Sequence, residues 1–388
     1  VLLTGESGIE YDERILPPNP ADGAERALRI YRRIDFRRTL GGQDQESTLR
    51  PEVRRLVILR RDRVEVPFSP DGPLTWGEID LVRTDVFVPA LAGLLPQQPV
   101  RVGDTWPASP AAVRELTDME KMEEGRIDCT LDQLTDFSGR PLARVALKGE
   151  VRGVNEDGPS RQRLEGMFYF DRQSEHLTYL SLSGVHELLD GEGRVAGRVE
   201  GQFVLSRRAH TRPEDLSDEA VRGLELEPNE RNTRLLYDNP DLGLRLLYPR
   251  HWRAGVLKER QLALDGPHGG GLLLTVEPAD RVPVAAQFRA EAEEFLKKYG
   301  ATDLRAGAPR PLPGAEGAAE HFRIEGKLKG ERVAMDYYVL RQRGGGATVA
   351  ARLPPEGTDV AAREVEQIVR TVTLSAEPGA RDSERPDP

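Results

Sequence analysis

The sequence predicts an α+β protein, with a large curved antiparallel β-sheet domain followed by an antiparallel sheet flanked by helices. Three observations carry this expectation. First, from Arg126 to Leu205 long alternating segments succeed one another with turn residues at each joint and no long helix between them, as in an antiparallel meander. Second, glycines recur inside those segments, at 149, 153, 166, 184, 197 and 201, where they permit the bends that curvature needs. Third, the chain beyond residue 236 changes texture. It mixes short strand patterns with an amphipathic helix over Pro283 to Tyr299 and a second one over Thr358 to Arg370.

In order along the chain, residues 1–28 carry Leu16-Pro-Pro-Asn-Pro20 and few periodic apolar residues. They are expected to be an extended segment laid over the surface. Residues 29–208 form the β-rich domain. Its strands begin with Leu28 to Phe36, a hairpin over Leu56 to Val66 and a segment over Val82 to Val88. Val86 to Leu95 reads as a short helix across the sheet, and Val113 to Met122 as another. The meander then runs through Arg126 to Leu134, Leu142 to Val154, Gln162 to Asp171, His176 to Leu188 and Val195 to Leu205. Ser138-Gly139, Asp157-Gly158 and Asp190-Gly-Glu-Gly193 supply the turns. Residues 209–236 read as a linker with a short acidic helix over Pro213 to Ala220. In residues 237–375, Leu244 to Leu247 is a strand stopped at Tyr248-Pro249, because proline has no ladder N–H, and Trp252 folds back as a core anchor. Strands follow over Gln261 to Leu264 and Leu272 to Val276. The helix over Pro283 to Tyr299 directs Val284, Phe288, Ala292, Phe295, Leu296 and Tyr299 along one stripe. A meander over Glu320 to Leu328, Arg332 to Gln342 and Ala347 to Leu353 precedes the last helix, which buries Ala361, Val365, Ile368 and Val369. Residues 376–388 are rich in proline, glycine and charge and read as a disordered tail.

Composition narrows the function classes. There are 65 acidic and 55 basic residues, a net charge of −10, and the signs are interleaved. That balance argues against a nucleic-acid partner. Arginine pairs at 32–33, 37–38, 54–55 and 60–61 flank strand-like segments and read as a solvated sheet face or edge. No apolar run is long enough to span a membrane. The single cysteine, Cys129, excludes an intrachain disulfide framework and a cysteine-rich zinc site. It lies in the alternating stretch Ile127 to Leu131 and reads as a small sheet residue. Because Val1 replaces a starting methionine, the N-terminus is expected to be trimmed, which leaves room for a removed signal peptide.

The order of a strand ending Tyr248-Pro249 with Trp252 after it, a strand pair, a helix, a meander containing Met335-Asp-Tyr-Tyr-Val339, and a final helix resembles the PsbP-like fold over about residues 240–375. That resemblance implies a central antiparallel sheet between helices and carries over no functional residue. The hairpin Phe168 to Asp171 with Leu177 to Gly184 resembles, in texture, the half-barrels of LolA/LolB-type lipoprotein carriers.

No catalytic or metal constellation assembles from the motifs. Gly5-Glu6-Ser7-Gly8 lacks the second glycine of a nucleophile elbow, since Ile9 stands there. His268-Gly-Gly-Gly271 copies an oxyanion loop, yet no serine or cysteine lies between Ser217 and Ser375, so it reads as a hairpin loop. Gly191 to Gly197 is a turn between strands, and Asp238 to Gly243 has Pro240 and Leu242 where a calcium loop needs oxygen ligands. The six histidines never stand at metal-binding helical spacing. The expectation is a non-enzymatic binding or scaffold protein of the bacterial cell envelope or exterior, without cofactor or metal. Its partner would be another protein or a hydrophobic ligand. Candidate ligand-contacting residues are His251, Tyr337 and Tyr338, with the concave side of the first sheet. Two alternatives are a carrier of a hydrophobic ligand or lipoprotein in the first domain, and a hydrolase using Ser181 or Ser183 beside His186.

Overall fold

Strand β1 (Leu3–Leu16) pairs antiparallel with β2 (Glu25–Leu40) over its full length, from Leu3 opposite Leu40 to Leu16 opposite Arg26. The chain is described here by a computed structural model covering residues 2–18, 23–61, 64–209, 213–258 and 260–375. The N-terminal stretch is therefore a sheet strand, and the expectation of a surface leader is corrected. Only Leu16 of β1 is fully buried, so the strand is held by backbone pairing and charged neighbours and leaves little apolar periodicity to read. Strand β3 (Gln43–Thr48) folds back on β2, and β4 (Arg55–Arg61) and β5 (Val64–Phe68) complete a five-stranded sheet. Strand β2 is buried on both faces: Ala27 and Tyr31 enter one core, Leu28 another.

Strand β6 (Leu74–Thr75) leads into α1 (Trp76–Val82) through a capping box, in which Thr75 accepts from the Glu78 backbone N–H and the Glu78 carboxylate accepts from the Thr75 N–H. The helix expected over Val86 to Leu95 is a tighter 3-10 turn, Val88–Leu94. After β7 (Thr105–Pro107) comes α2 (Pro110–Thr117), started by the Ser109 cap and Pro110 and stopped by Asp118 in left-handed backbone. The meander follows as β8 (Lys121–Phe137), β9 (Arg140–Asn155), β10 (Gly158–Asp171), β11 (His176–Leu189) and β12 (Val195–Ser206). With β7 it forms one six-stranded antiparallel sheet in sequential order. Two sheets thus replace the single large one expected for residues 29–208. The 3-10 turn and α2 lie on the inner face of the second, where Leu91, Leu94, Ala112 and Val113 pack with Ile127, Cys129, Leu147 and Phe168.

After α3 (Asp218–Val221) the chain enters β13 (Leu235–Asn239) and β14 (Leu244–Tyr248). Next come β15 (Arg253–Lys258), β16 (Gln261–Asp265), β17 (Gly271–Glu277) and α4 (Ala285–Lys298), then β18 (Ala301–Ala306), β19 (Arg310–Pro311), β20 (Ala318–Leu328), β21 (Glu331–Gln342) and β22 (Gly345–Leu353), closed by α5 (Thr358–Arg370) and β23 (Thr373–Leu374). Strands β15 to β22 make an eight-stranded antiparallel sheet, while β23, β14, β13 and β6 make a small one in which β6 runs parallel to β13. Trp252 is buried, as its place after the Tyr248-Pro249 stop implies. The stripe of α4 is narrower than expected. Ala292 and Leu296 are buried and Phe288 packs beneath, whereas Val284, Phe295 and Tyr299 are exposed. Val284 and Tyr299 are the capping positions, where the helical period no longer applies, and Phe295 sits one position to the side of the Phe288-Ala292-Leu296 line.

The largest core joins Ala27, Tyr31, Leu56 and Phe87 of the first part of the chain to Leu246, Trp252, Val349 and Val365 of the last. The meander has its own core. A cut at 209–236 therefore separates chain segments but not cores. The architecture is α+β and dominated by antiparallel strands. Residues 376–388, read as a tail, lie outside the described residues.

Candidate functional site

Between the inner face of β10, β11 and β12 and the segments that join the two sheets lies a cleft of about 470 Å³. The register of the meander builds its floor. Gln162 stands opposite His186 and His186 opposite Val199; Leu164 opposite Gly184 and Gly184 opposite Gly201; Leu182 opposite Phe203. Because strand side chains alternate, these residues share a face. Gly201 leaves a trough beside Leu182, Val199 and Phe203, whereas the Leu164 side chain covers Gly184, where an added Cβ would lie 2.7 Å from it. A methyl group placed on Gly201 would meet nothing within 4 Å.

The opposite wall is charged. Arg60 of β4 pairs with Glu115 of α2, whose other oxygen accepts from the Phe87 N–H. Arg60 also reaches Glu65 of β5 at 3.7 Å. Nearby, Arg29 is 1% exposed and donates to Glu13 at 2.9 Å, Asp85 at 2.8 Å and the Val86 carbonyl at 2.9 Å. Its guanidinium lies 4.4 Å from the centre of the Tyr11 ring. Burial pushes the Glu65 carboxyl up to about 7, against the pull of Arg60. The same desolvation raises Glu115, Asp85 and Asp118 above the usual carboxylate range. His186 is shifted down by its own burial and therefore favours the neutral ring. Its Nε2 lies 3.4 Å from Asn155 Nδ2. Gln162 Nε2 donates to the Thr117 carbonyl at 2.5 Å and ties α2 to the floor. Arg114 lines the same cleft, and no carboxylate among the described residues pairs with it.

The residues singled out from the sequence do not converge. His251 is half exposed and its Nε2 lies 3.2 Å from Glu364 of α5, which also accepts the Trp252 indole N–H at 2.9 Å. Tyr337 and Tyr338 are consecutive on β21 and point to opposite faces. Tyr337 is stacked on Phe322 with centroids 5.0 Å apart, in the core beneath α4. Tyr338 stacks on His321 at 4.7 Å, in the largest core. None of the three lines the cleft, and they stand at three separate places, His251 half exposed and the two tyrosines in different cores. Ser181 and Ser183 alternate to the face of β11 opposite His186 and cannot accept its help as a base. A further polar cluster joins buried Asp336 to His321 at 2.9 Å and to Arg323 by two bonds at 2.7 and 2.8 Å. Those bonds hold its carboxyl below the usual range despite burial, and no hydroxyl nucleophile is bonded to His321 among the described residues. His268-Gly-Gly-Gly271 is the hairpin turn between β16 and β17.

Arg29, Arg60, Glu65, Asp85 and Glu115 escaped sequence reading. The arginines fall in the stretch taken as a solvated face. Arg29 is instead buried because carboxylates from β1 and from the loop after α1 neutralise it. The one visible signal is Arg29 enclosed by Ala27, Leu28, Ile30 and Tyr31.

What fold and site define together is an α+β protein of antiparallel sheets with a half-apolar, half-charged cleft. No protein family and no curated protein matches the chain. Three solved structures similar to it each share 12% identity with it. A crystal structure from Bacteroides thetaiotaomicron VPI-5482 matches over 37% of this chain and 48% of that one, with a TM-score of 0.26. The solution structure of cyanobacterial PsbP (CyanoP) from Synechocystis sp. PCC 6803 matches over 36% of this chain and 92% of that one, at 0.28. The crystal structure of MucB in complex with MucA(peri) matches over 97% and 92%, at 0.18. The chain thus spans about half the length of the first. Scores this low define neither a shared family nor a shared function. Among the described residues no helix is long and apolar enough to cross a membrane.

Proposed function

We propose that the chain is a non-enzymatic binding protein acting outside the cytoplasm, and that the cleft beside β10, β11 and β12 holds its ligand. The observation that carries the reading is the trough over Gly201, an apolar floor in a cleft that Arg114 also lines without a carboxylate partner among the described residues. An apolar floor with a few fixed polar groups at one side is the usual make-up of a small-molecule site. The ligand class that fits is an amphiphile with a hydrocarbon part on Leu164, Leu182 and Phe203 and an acidic group at Arg114. Gly201 has room for a Cβ, and Gly201→Trp puts an indole in the trough, so the fold is expected to survive, checked by circular dichroism, and binding to be lost. Fluorescence titration with a dansylated fatty acid and the matching fatty alcohol tests both halves. Gly201→Trp is expected to abolish binding of both probes, and Arg114→Ala to weaken the acid about tenfold while sparing the alcohol. Unchanged acid binding by a folded Gly201→Trp variant would remove the cleft as the site.

A further inference from the structure

The outer edge of the meander, whose Val199 also borders the cleft, has a charge pattern that matches itself. Strand β12 is the terminal strand of the six-stranded sheet. It has neither proline nor lysine, the residues that commonly guard such an edge. Val195, Val199 and Val204, all on β12, are 50%, 51% and 59% exposed. A bulge at Ala196, where Gly197 pairs with Leu188 and Val195 with Leu189, ends the regular ladder on one side and leaves Gly197 to Ser206 regular.

On the solvent face of this sheet, two adjacent cross-strand rows run out to the edge. One row is Arg161, Glu187 and Arg198 and ends in a cation; the next is Glu150, Arg163, Val185 and Glu200 and ends in an anion. Inside the sheet these charges pair across strands, Arg161 with Glu187 at 2.5 Å and Arg163 with Glu150 at 2.5 Å. At the edge, among the described residues, Arg198 and Glu200 have only each other at 2.6 Å and, for Arg198, the distant Glu187 at 3.9 Å, and are 54% and 66% exposed.

We infer that β12 pairs antiparallel with β12 of a second copy of this chain, about a two-fold axis at Val199. That register sets Arg198 opposite Glu200 of the second copy and Glu200 opposite its Arg198, so each row continues with alternating sign across the axis. It also lays Val199 on its own counterpart, covering exposed apolar surface on the other face. Such a two-fold contact is isologous and closes on itself. Registers shifted by one residue along each strand set Glu200 opposite Glu200, which like-charge repulsion disfavours.

The test uses the full chain. Directly opposed residues in an antiparallel pair lie within disulfide reach, so Val199→Cys is expected to give a disulfide-linked dimer under mild oxidation. The native Cys129 is buried and does not compete. Val204→Cys is the control: its counterpart would lie ten residues along the ladder, roughly 33 Å away, and no cross-link is expected. Sedimentation equilibrium should show self-association that Arg198→Glu or Glu200→Arg weakens about tenfold and the double exchange restores. Circular dichroism on each variant separates lost pairing from lost folding. A folded chain that stays monomeric up to about 1 mM would overturn the inference. Equal cross-linking at Val204→Cys, or a double exchange that fails to restore association, would do the same. So would a monomer that accepts only the strand of a different protein at this edge.

Discussion

Arg29→Met replaces a fully buried guanidinium with an apolar chain of similar length, and the structure sets the size of the effect. The guanidinium is bonded to Glu13 and Asp85, whose side chains are 8% and 5% exposed, and to the Val86 carbonyl. Removing one partner of a buried ion pair costs about 3–5 kcal/mol, because it leaves the other charge desolvated and unopposed. Here two carboxylates lose their partner; the Arg207 guanidinium, 3.9 Å from Glu13, retains a hold on one of them. The expected loss is thus about 3–5 kcal/mol, a large share of the 5–15 kcal/mol typical of a folded domain. It has a pH signature. Burial already raises Asp85 above its ordinary range while Arg29 opposes that rise. Without Arg29 the folded-state value rises further, the folded form holds protons the unfolded form has released, and the deficit shrinks as pH falls. Adding Asp85→Asn should recover a substantial part of the loss at neutral pH. Urea unfolding followed by tryptophan fluorescence measures all three quantities. A loss under about 1 kcal/mol, the range of exposed pairs, would refute the view that this network is desolvated.

Two further outcomes follow from the same burial. Glu65 has a folded-state value near 7 against an ordinary 4.5. Between those values the folded chain binds more protons than the unfolded one, so stability falls as pH rises through the window, by about 3 kcal/mol in all. In Glu65→Gln that slope should disappear and stability above neutrality should increase; an unaltered pH profile would show that the carboxyl is solvated. Cys129 is buried and its thiol is pushed up to about 12. Its labelling by an aromatic disulfide should therefore be slow in the folded chain and complete in denaturant, and rapid native labelling would contradict the packing of β8.

Much of the fold is legible because its signals are local. The turn at Asp190-Gly-Glu-Gly193 lies where the sequence suggests, as does the stop at Tyr248-Pro249, and α5 runs from Thr358 to Arg370 with Ala361, Val365, Ile368 and Val369 buried. Each depends on residues within a few positions of one another. Strand β1 failed for the opposite reason. Its partner β2 supplies the backbone bonds, and most β1 side chains are left partly solvated, so no period-2 apolar pattern forms. The assembly of cores was illegible too: that β6 lies parallel to β13 across 160 residues of chain cannot be read from either segment.

The site was illegible for a reason that follows from desolvation. An isolated arginine in a strand reads as solvent-facing because burying it alone is prohibitive. That reading holds only while its partners are unknown, and here they stand 16 and 56 positions away for Arg29 and 55 for Arg60. Tyrosines at 337 and 338 fail in the complementary way. As large aromatics they suggest a ligand platform, yet adjacency in a strand sends them to opposite faces, where each finds a core partner first. The glycines are the exception. Gly184 and Gly201 were visible as strand glycines, and only the register shows that they stand side by side, with Leu164 lying over the first and the trough open over the second. A cleft floor of this kind is therefore encoded in cross-strand pairing. Changes that shift the pairing of β11 with β12 by one residue would abolish it while leaving the composition of both strands intact.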